Sequence, residues 1–160
     1  MRAHSHIRGF TLIELVITVA IVGLLATAAM PLASMAIQRE KEGELRSGLR
    51  EIRGAIDAYK QAASEGRVQV EADATGFPAT LQLLVDGAED QRSAEKVKIY
   101  FLRRVPRDPF FPDSTATAAD TWGLRSYASA PDDPQPGDDV FDVYSLASGK
   151  GLNGIRYRDW

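Results

Sequence analysis

The chain of 160 residues has no cysteine, and its two histidines, His4 and His6, both lie near the N-terminus. No disulfide can staple it. Beyond His6 it has neither thiol nor imidazole, which excludes a Ser-His or Cys-His nucleophile and any usual zinc site there. Charge is missing over one long stretch: from Phe10 to Ala36 the only ionisable side chain is Glu14. Elsewhere basic and acidic residues are interleaved, and the formal net charge is -3. No basic patch carries stacking aromatics, so nucleic acid is not an expected partner. A phosphate-cradling glycine motif is also missing, because Gly149-Lys150-Gly151 lacks the upstream glycine and the following Ser or Thr. No repeat or low-complexity segment occurs.

What is present begins with the apolar run from Phe10 to Ala36. A helix needs roughly 20 apolar residues to cross a bilayer, and this run is long enough. A carboxylate near one end of such a run is costly in lipid and points to function, with a partner to be named. The preceding residues include Arg2, His4, His6 and Arg8. Positive charge is retained on the cytoplasmic side, so the N-terminus is expected in the cytoplasm and the rest of the chain across the membrane. The remaining length suits one small globular domain of about 100 residues with a modest core.

The stretch Gly9-Phe10-Thr11-Leu12-Ile13-Glu14, behind a short basic leader and ahead of an apolar helix, resembles the class III signal peptides of type IV pilins and type II secretion pseudopilins. The resemblance implies cleavage by prepilin peptidase between Gly9 and Phe10 and N-methylation of the new terminus, giving N-methylphenylalanine at Phe10. Gly9 suits the scissile position because a minimal side chain leaves the backbone open. Glu14 would neutralise the Phe10 ammonium of a neighbouring subunit. An ion pair in a low-dielectric bundle removes two separately unfavourable buried charges. The expected domains are a cleaved leader (1–9), a membrane and assembly helix (10–36), and a periplasmic globular domain (37–160).

Along the chain, the helix is expected to start near Thr11 and to kink at Pro31, where a backbone hydrogen bond is lost. From Gln38 it becomes amphipathic. Leu45, Leu49, Ile52, Ile56, Tyr59 and Ala63 recur at helical spacing. Arg39, Lys41, Glu44, Arg46, Arg50, Glu51, Arg53 and Asp57 fill the opposite, solvated face, and Glu42 can pair with Arg46. Gly43, Gly48 and Gly54 each weaken the helix by about 1 kcal/mol relative to Ala, so packing must hold it until it ends near Ser64-Glu65-Gly66. Residues 66–78 read as a loop, with Val68 and Val70 as a short extended piece. Thr80 to Gly87 reads as a short helix with Gly87 as its stop. Residues 88–98 read as a charged loop. Pro106 and Pro109 exclude a central strand nearby, which leaves a turn-rich connector. Thr121–Ser129 and Asp139–Leu146 are the strand candidates. The three prolines Pro131, Pro134 and Pro136 mark the loop between them, and the tail from Leu152 is a candidate edge strand. Trp122, Tyr127, Phe141 and Tyr144 are expected in the core.

The fold class is therefore α+β: a long N-terminal helix packed on a short helix and a small antiparallel sheet. This pilin-like order is similar to that of the major pseudopilins. Pro106, Asp108-Pro109-Phe110, Trp122-Gly123 and Tyr127 echo the family's pattern, although Phe111 to Thr121 separates what the family keeps contiguous. The implied role is non-enzymatic. It is a subunit of a periplasmic filament that drives protein export across the outer membrane. Its implied partners are prepilin peptidase, copies of itself, other pseudopilins and an inner-membrane assembly platform. Major pseudopilins carry a calcium site in the C-terminal loop. Here Asp138, Asp139 and Asp142 are the candidate ligands, beside Asp132 and Asp133, with a solvated acidic loop as the alternative. A catalytic carboxylate pair would need a cleft, and the sequence suggests none. A minor type IV pilin is the nearest alternative function. A secreted periplasmic enzyme or binding domain behind an ordinary signal peptide, cut after Ala26-Thr27-Ala28, is the alternative from another class.

Overall fold

The spacing that marks an apolar stripe from Leu45 onward produces one. In the computed structural model, which describes residues 10–160 and only the backbone at 28–31, helix α1 runs over Leu12–Ser64. The chain divides into two compact units between Arg39 and Glu40, and α1 contributes to both. Pro31 lies in helical backbone. Helical backbone continues through the position where a kink is expected, and the leader with Gly9 lies outside the described residues.

Within the second unit Leu45, Leu49, Ile52, Ile56 and Tyr59 are buried, joined by Ala55 and Ala62 on the same face. Helix α2, Leu81–Asp86, lays Leu81 and Leu84 into this core. Its ends carry the local chemistry that stops a helix. Thr80 accepts the Leu83 N–H at 3.2 Å, a cap of about 1 kcal/mol. Gly87 sits at φ +76 and returns its N–H to the Leu83 carbonyl. The carbonyl of Leu84 accepts the N–H groups of Phe101 and Leu102 at 3.0 and 2.9 Å. A helix-end carbonyl that would otherwise lack a partner thus ties down the turn-rich connector, whose Leu102 and Val105 are buried.

Two antiparallel two-stranded sheets complete the unit. Strand β1 (Ala88–Glu89) pairs with β2 (Lys98–Ile99), and β3 (Trp122–Arg125) pairs with β4 (Asp142–Ser145). In the second pair Gly123 faces Tyr144. A Cβ at Gly123 would lie 2.3 Å from the Tyr144 ring, so the Trp-Gly step exists to let that ring cross the strand. The Trp122 indole donates to the Pro106 carbonyl at 2.7 Å. It also packs against α1 at Gly48, where a Cβ would meet it at 3.3 Å. Read as a weak point of the helix, Gly48 is also the notch that seats Trp122.

Several boundaries differ from expectation. Both strands of the second sheet are shorter, because beyond Arg125 the backbone changes partner: Ser126 N–H donates to the Gln135 carbonyl at 2.9 Å. Residues 88–98 are not a bare loop. Strands β1 and β2 close them, Asp90 N–H donates to Val97 at 2.9 Å, and Arg67 pairs with Asp90 at 2.7 Å. Val68 is buried, but it and Val70 lie outside any strand. The tail forms one bridge, Lys150 to Arg156, and a 3-10 turn at Tyr157–Asp159 rather than an edge strand. Gly154, at φ +79, reverses the chain before a strand can form. Of the four aromatics expected in the core only Trp122 belongs to it: Phe141 and Tyr144 are half-buried, and Tyr127 is 60% exposed. Its ring stacks on Phe77 and meets Phe141 edge-on.

Candidate functional site

The N-terminal motif folds into the start of α1. Phe10 is 82% exposed. Thr11 stands just before the helix and Glu14 lies in its first turn. Their hydrogen bonds are reciprocal: Glu14 N–H donates to Thr11 Oγ1 at 3.3 Å, and Thr11 N–H donates to Glu14 Oε2 at 3.5 Å. This is the geometry of a capping box, loosely closed. It satisfies donors the helix start leaves free and sets a carboxylate at the positive end of the helix dipole. The spacing Thr-x-x-Glu thus has a local use besides any intermolecular one.

Past the cap, α1 exposes its apolar side chains. Leu12, Ile13, Val19, Val22, Leu24 and Leu25 are all more than 60% exposed. Its hydroxyls bond within the helix: Thr18 donates to the Leu15 carbonyl at 2.8 Å and Thr27 to the Leu24 carbonyl at 2.7 Å. Internal satisfaction of polar groups is what a hydrocarbon solvent demands. Among the described residues, α1 is long and apolar enough to cross a membrane.

The acidic candidates in the second unit go to different tasks. Asp139 is 7% exposed and accepts three hydrogen bonds. They come from the Thr75 hydroxyl, from Ser126 Oγ at 2.7 Å and from Tyr127 N–H at 2.9 Å. Burial pushes its pKa up, but those donors outweigh burial and hold the carboxyl below its ordinary value. Asp142 Oδ1 pairs with Arg53 Nε at 2.7 Å and accepts the Val143 N–H. Asp138 is exposed and, with Asp139, lines an open concavity of about 600 Å³. Among the described residues no three acidic side chains are grouped where they could hold one metal ion.

Two buried carboxylates carry structural duties that the sequence reading did not assign. Glu42, 4% exposed, accepts the Leu152 N–H at 2.8 Å and the Tyr157 hydroxyl at 3.2 Å. It ties the C-terminal segment to α1 as well as lying 3.9 Å from Arg46. The signal was available: Glu42 precedes Leu45 and Leu49 by three and seven residues, on the buried stripe. Asp108, 1% exposed, accepts the Phe110 N–H at 2.8 Å and the Ser145 hydroxyl, and its own N–H donates to Thr121 Oγ1 at 3.1 Å. That cluster holds the connector to β4.

The exposed Phe10, the capped Glu14 and the first part of the apolar helix behind them fall inside a matched family model, the prokaryotic N-terminal methylation motif, which covers residues 4–30. The chain is pseudopilin-like. It is 27% identical over 139 residues to the type II secretion system core protein G of Klebsiella pneumoniae. That alignment covers 83% of this chain and 91% of the relative. No solved structure matches the chain. The pseudopilin likeness thus extends well past the motif into the unit that holds Trp122-Gly123 and Asp108.

Proposed function

We propose that this pseudopilin-like chain is the precursor of a filament subunit in type II secretion. It is held in the inner membrane by α1, with its N-terminus in the cytoplasm and its second unit in the periplasm. Prepilin peptidase cuts between Gly9 and Phe10, and the new Phe10 amine is methylated. The mature subunit then leaves the bilayer by packing its apolar helix against those of neighbours. Its partners are copies of itself, other pseudopilins and the membrane assembly platform, and its role is mechanical rather than catalytic. The observation that carries this reading is the methylation motif, placed on a helix whose apolar surface finds no partner inside its own unit.

Assembly follows from the physics of that helix. Exposed apolar side chains are stable in lipid or against other helices, and both alternatives remove them from water. Moving Glu14 into a helix bundle is costly unless a cation meets it. A neighbour's N-terminal amine, created only by cleavage, supplies that cation. Processing therefore gates assembly, because the uncut chain has no charge to offer at Phe10.

The mass and N-terminal residue of the protein recovered from its native membrane test the reading. A methylated Phe10 is the expected start. A start at Ala29 would instead show an ordinary signal peptide and end the filament proposal.

A further inference from the structure

The second unit concentrates arginine on one surface although the chain is acidic overall, with a net charge of -3. Two concavities of about 510 and 310 Å³ adjoin there, sharing Arg53, Asp159 and Trp160 in their walls. The larger adds Arg125, Arg156 and Arg158, and the smaller adds Arg46 and Arg50. No lysine lines either one.

Pairing within the surface consumes only part of that charge. Arg53 pairs with Asp142 at 2.7 Å and Arg156 with Asp159 at 2.8 Å. Arg46 lies over the Trp160 ring at 4.2 Å and 3.9 Å from Glu42. Among the described residues Arg50, Arg125 and Arg158 have no carboxylate partner. Arg125 reaches only the Ser129 carbonyl at 3.4 Å and the Phe141 ring, and its buried Nε–H has no acceptor. Arg158 lies over the Tyr144 ring. Against these three guanidinium groups the lining offers one carboxylate side chain not already paired, Asp132, while the Trp160 carbonyl oxygen accepts from Arg53 Nη2 at 3.0 Å.

We propose that these two adjoining concavities form a docking surface for an acidic polypeptide segment of a partner protein. The guanidinium fork matches a carboxylate with two parallel N–H donors, which an ammonium cannot do. Spacing favours carboxylates over a phosphate backbone. Asp132, Asp142 and Asp159 are interspersed among the arginines, so a dense row of phosphates would meet repulsion, whereas side-chain carboxylates on a flexible segment can reach each fork. The aromatic rings under Arg46, Arg125 and Arg158 keep the forks extended at little loss of freedom.

The full-length chain in neutral detergent micelles tests this by fluorescence anisotropy, with a labelled glutamate-rich decapeptide as the probe. Binding is expected at low salt. It should weaken as salt screens it, and the glutamine counterpart should not bind. The double variant Arg125→Gln/Arg158→Gln should weaken binding about tenfold, and Arg158→Gln alone about threefold, the scale expected for partly exposed charge pairs. Arg158 is exposed, so the single variant keeps the test clear of any folding defect. The exposed pair Arg103→Gln/Arg104→Gln, outside both concavities, should bind as the parent does. Equal weakening in that control would overturn the proposal. So would full competition by inorganic phosphate at matched charge, or a peptide effect that consists only of dissociating two copies of the chain.

Discussion

The two stretches of α1 on either side of Arg39 contain the same kinds of apolar residue and use them in opposite ways. Leu24 and Leu25 are 73% and 64% exposed, whereas Leu45 and Ile52 are fully buried. The hydropathy of the single side chain does not separate them, because each gains by leaving water. What differs is the supply of a second surface. Residues after Glu40 meet α2, the connector and β3–β4 within the same chain. In the first unit the described residues form helix and nothing to pack against it. An apolar run with regular stripes on one side reports a core, and one apolar all round reports a solvent or partner other than the chain itself.

The sharpest way to break that comparison is a matched pair of truncations. Leu84→Ala removes a side chain with no exposure from the core and should destabilise the second unit by about 3–4 kcal/mol. Leu24→Ala should leave its unfolding midpoint unchanged, with any cost confined to membrane retention or assembly. Thermal unfolding of both variants in neutral detergent decides it. A comparable loss from Leu24→Ala would show that the exposed stretch stabilises the globular unit after all.

Gly123→Ala comes next. The added Cβ would collide with the Tyr144 ring across the β3–β4 pair, so the ring must leave or the strands must separate. Overpacking of this kind costs about 1–3 kcal/mol. The double variant Gly123→Ala/Tyr144→Ala should recover part of the loss, and failure to recover would place the strain elsewhere. The same ring explains what was legible here. The sequence showed Trp122-Gly123 as a unit, but only the register, with Tyr144 opposite Gly123, shows why glycine is needed.

Asp139 carries a smaller, pH-dependent effect. Its folded pKa lies below its ordinary value because three donors outweigh burial. Its stabilisation is therefore present above the unfolded pKa of about 3.9 and is lost as pH falls through the lower folded value. The unfolding midpoint should drop on acidification below about pH 4, and Asp139→Asn should flatten that drop while costing about 1–2 kcal/mol at neutral pH. Asp90, held down by its hydrogen bond to Arg67, leaves a residual slope. An unchanged slope in Asp139→Asn would assign the acid sensitivity to other carboxylates.

Legibility divided between local and long-range features. The motif from Phe10 to Glu14, the helix stripe, the Thr80 to Gly87 stop signals and the α+β order are all written in local spacing. Strand ends and carboxylate roles are not. Strands β1 and β2 are two residues each, too short for an alternation to register. Asp139 and Asp142 looked alike as members of one acidic loop, and long-range partners at Thr75 and Arg53 separate them. Partners more than 60 positions away in sequence leave no periodic trace.

The smallest effect on stability, and the most informative about the helix, belongs to Glu14. The residue has two separable properties: an oxygen that accepts the Thr11 N–H and a negative charge. Glutamine keeps the first and loses the second, since a capping box accepts either side chain. Glu14→Ala loses both. Each variant should shift stability of the globular unit by less than about 0.5 kcal/mol, being outside it, and each should still be cleaved after Gly9. If the charge meets a neighbour's amine, both variants should fail to assemble filaments, to the same degree. If Glu14→Gln assembles normally while Glu14→Ala does not, the carboxylate matters only for starting its own helix, and the ion pair between subunits is wrong. Counting filaments from strains carrying each variant, with cleavage checked on the same samples, distinguishes the two.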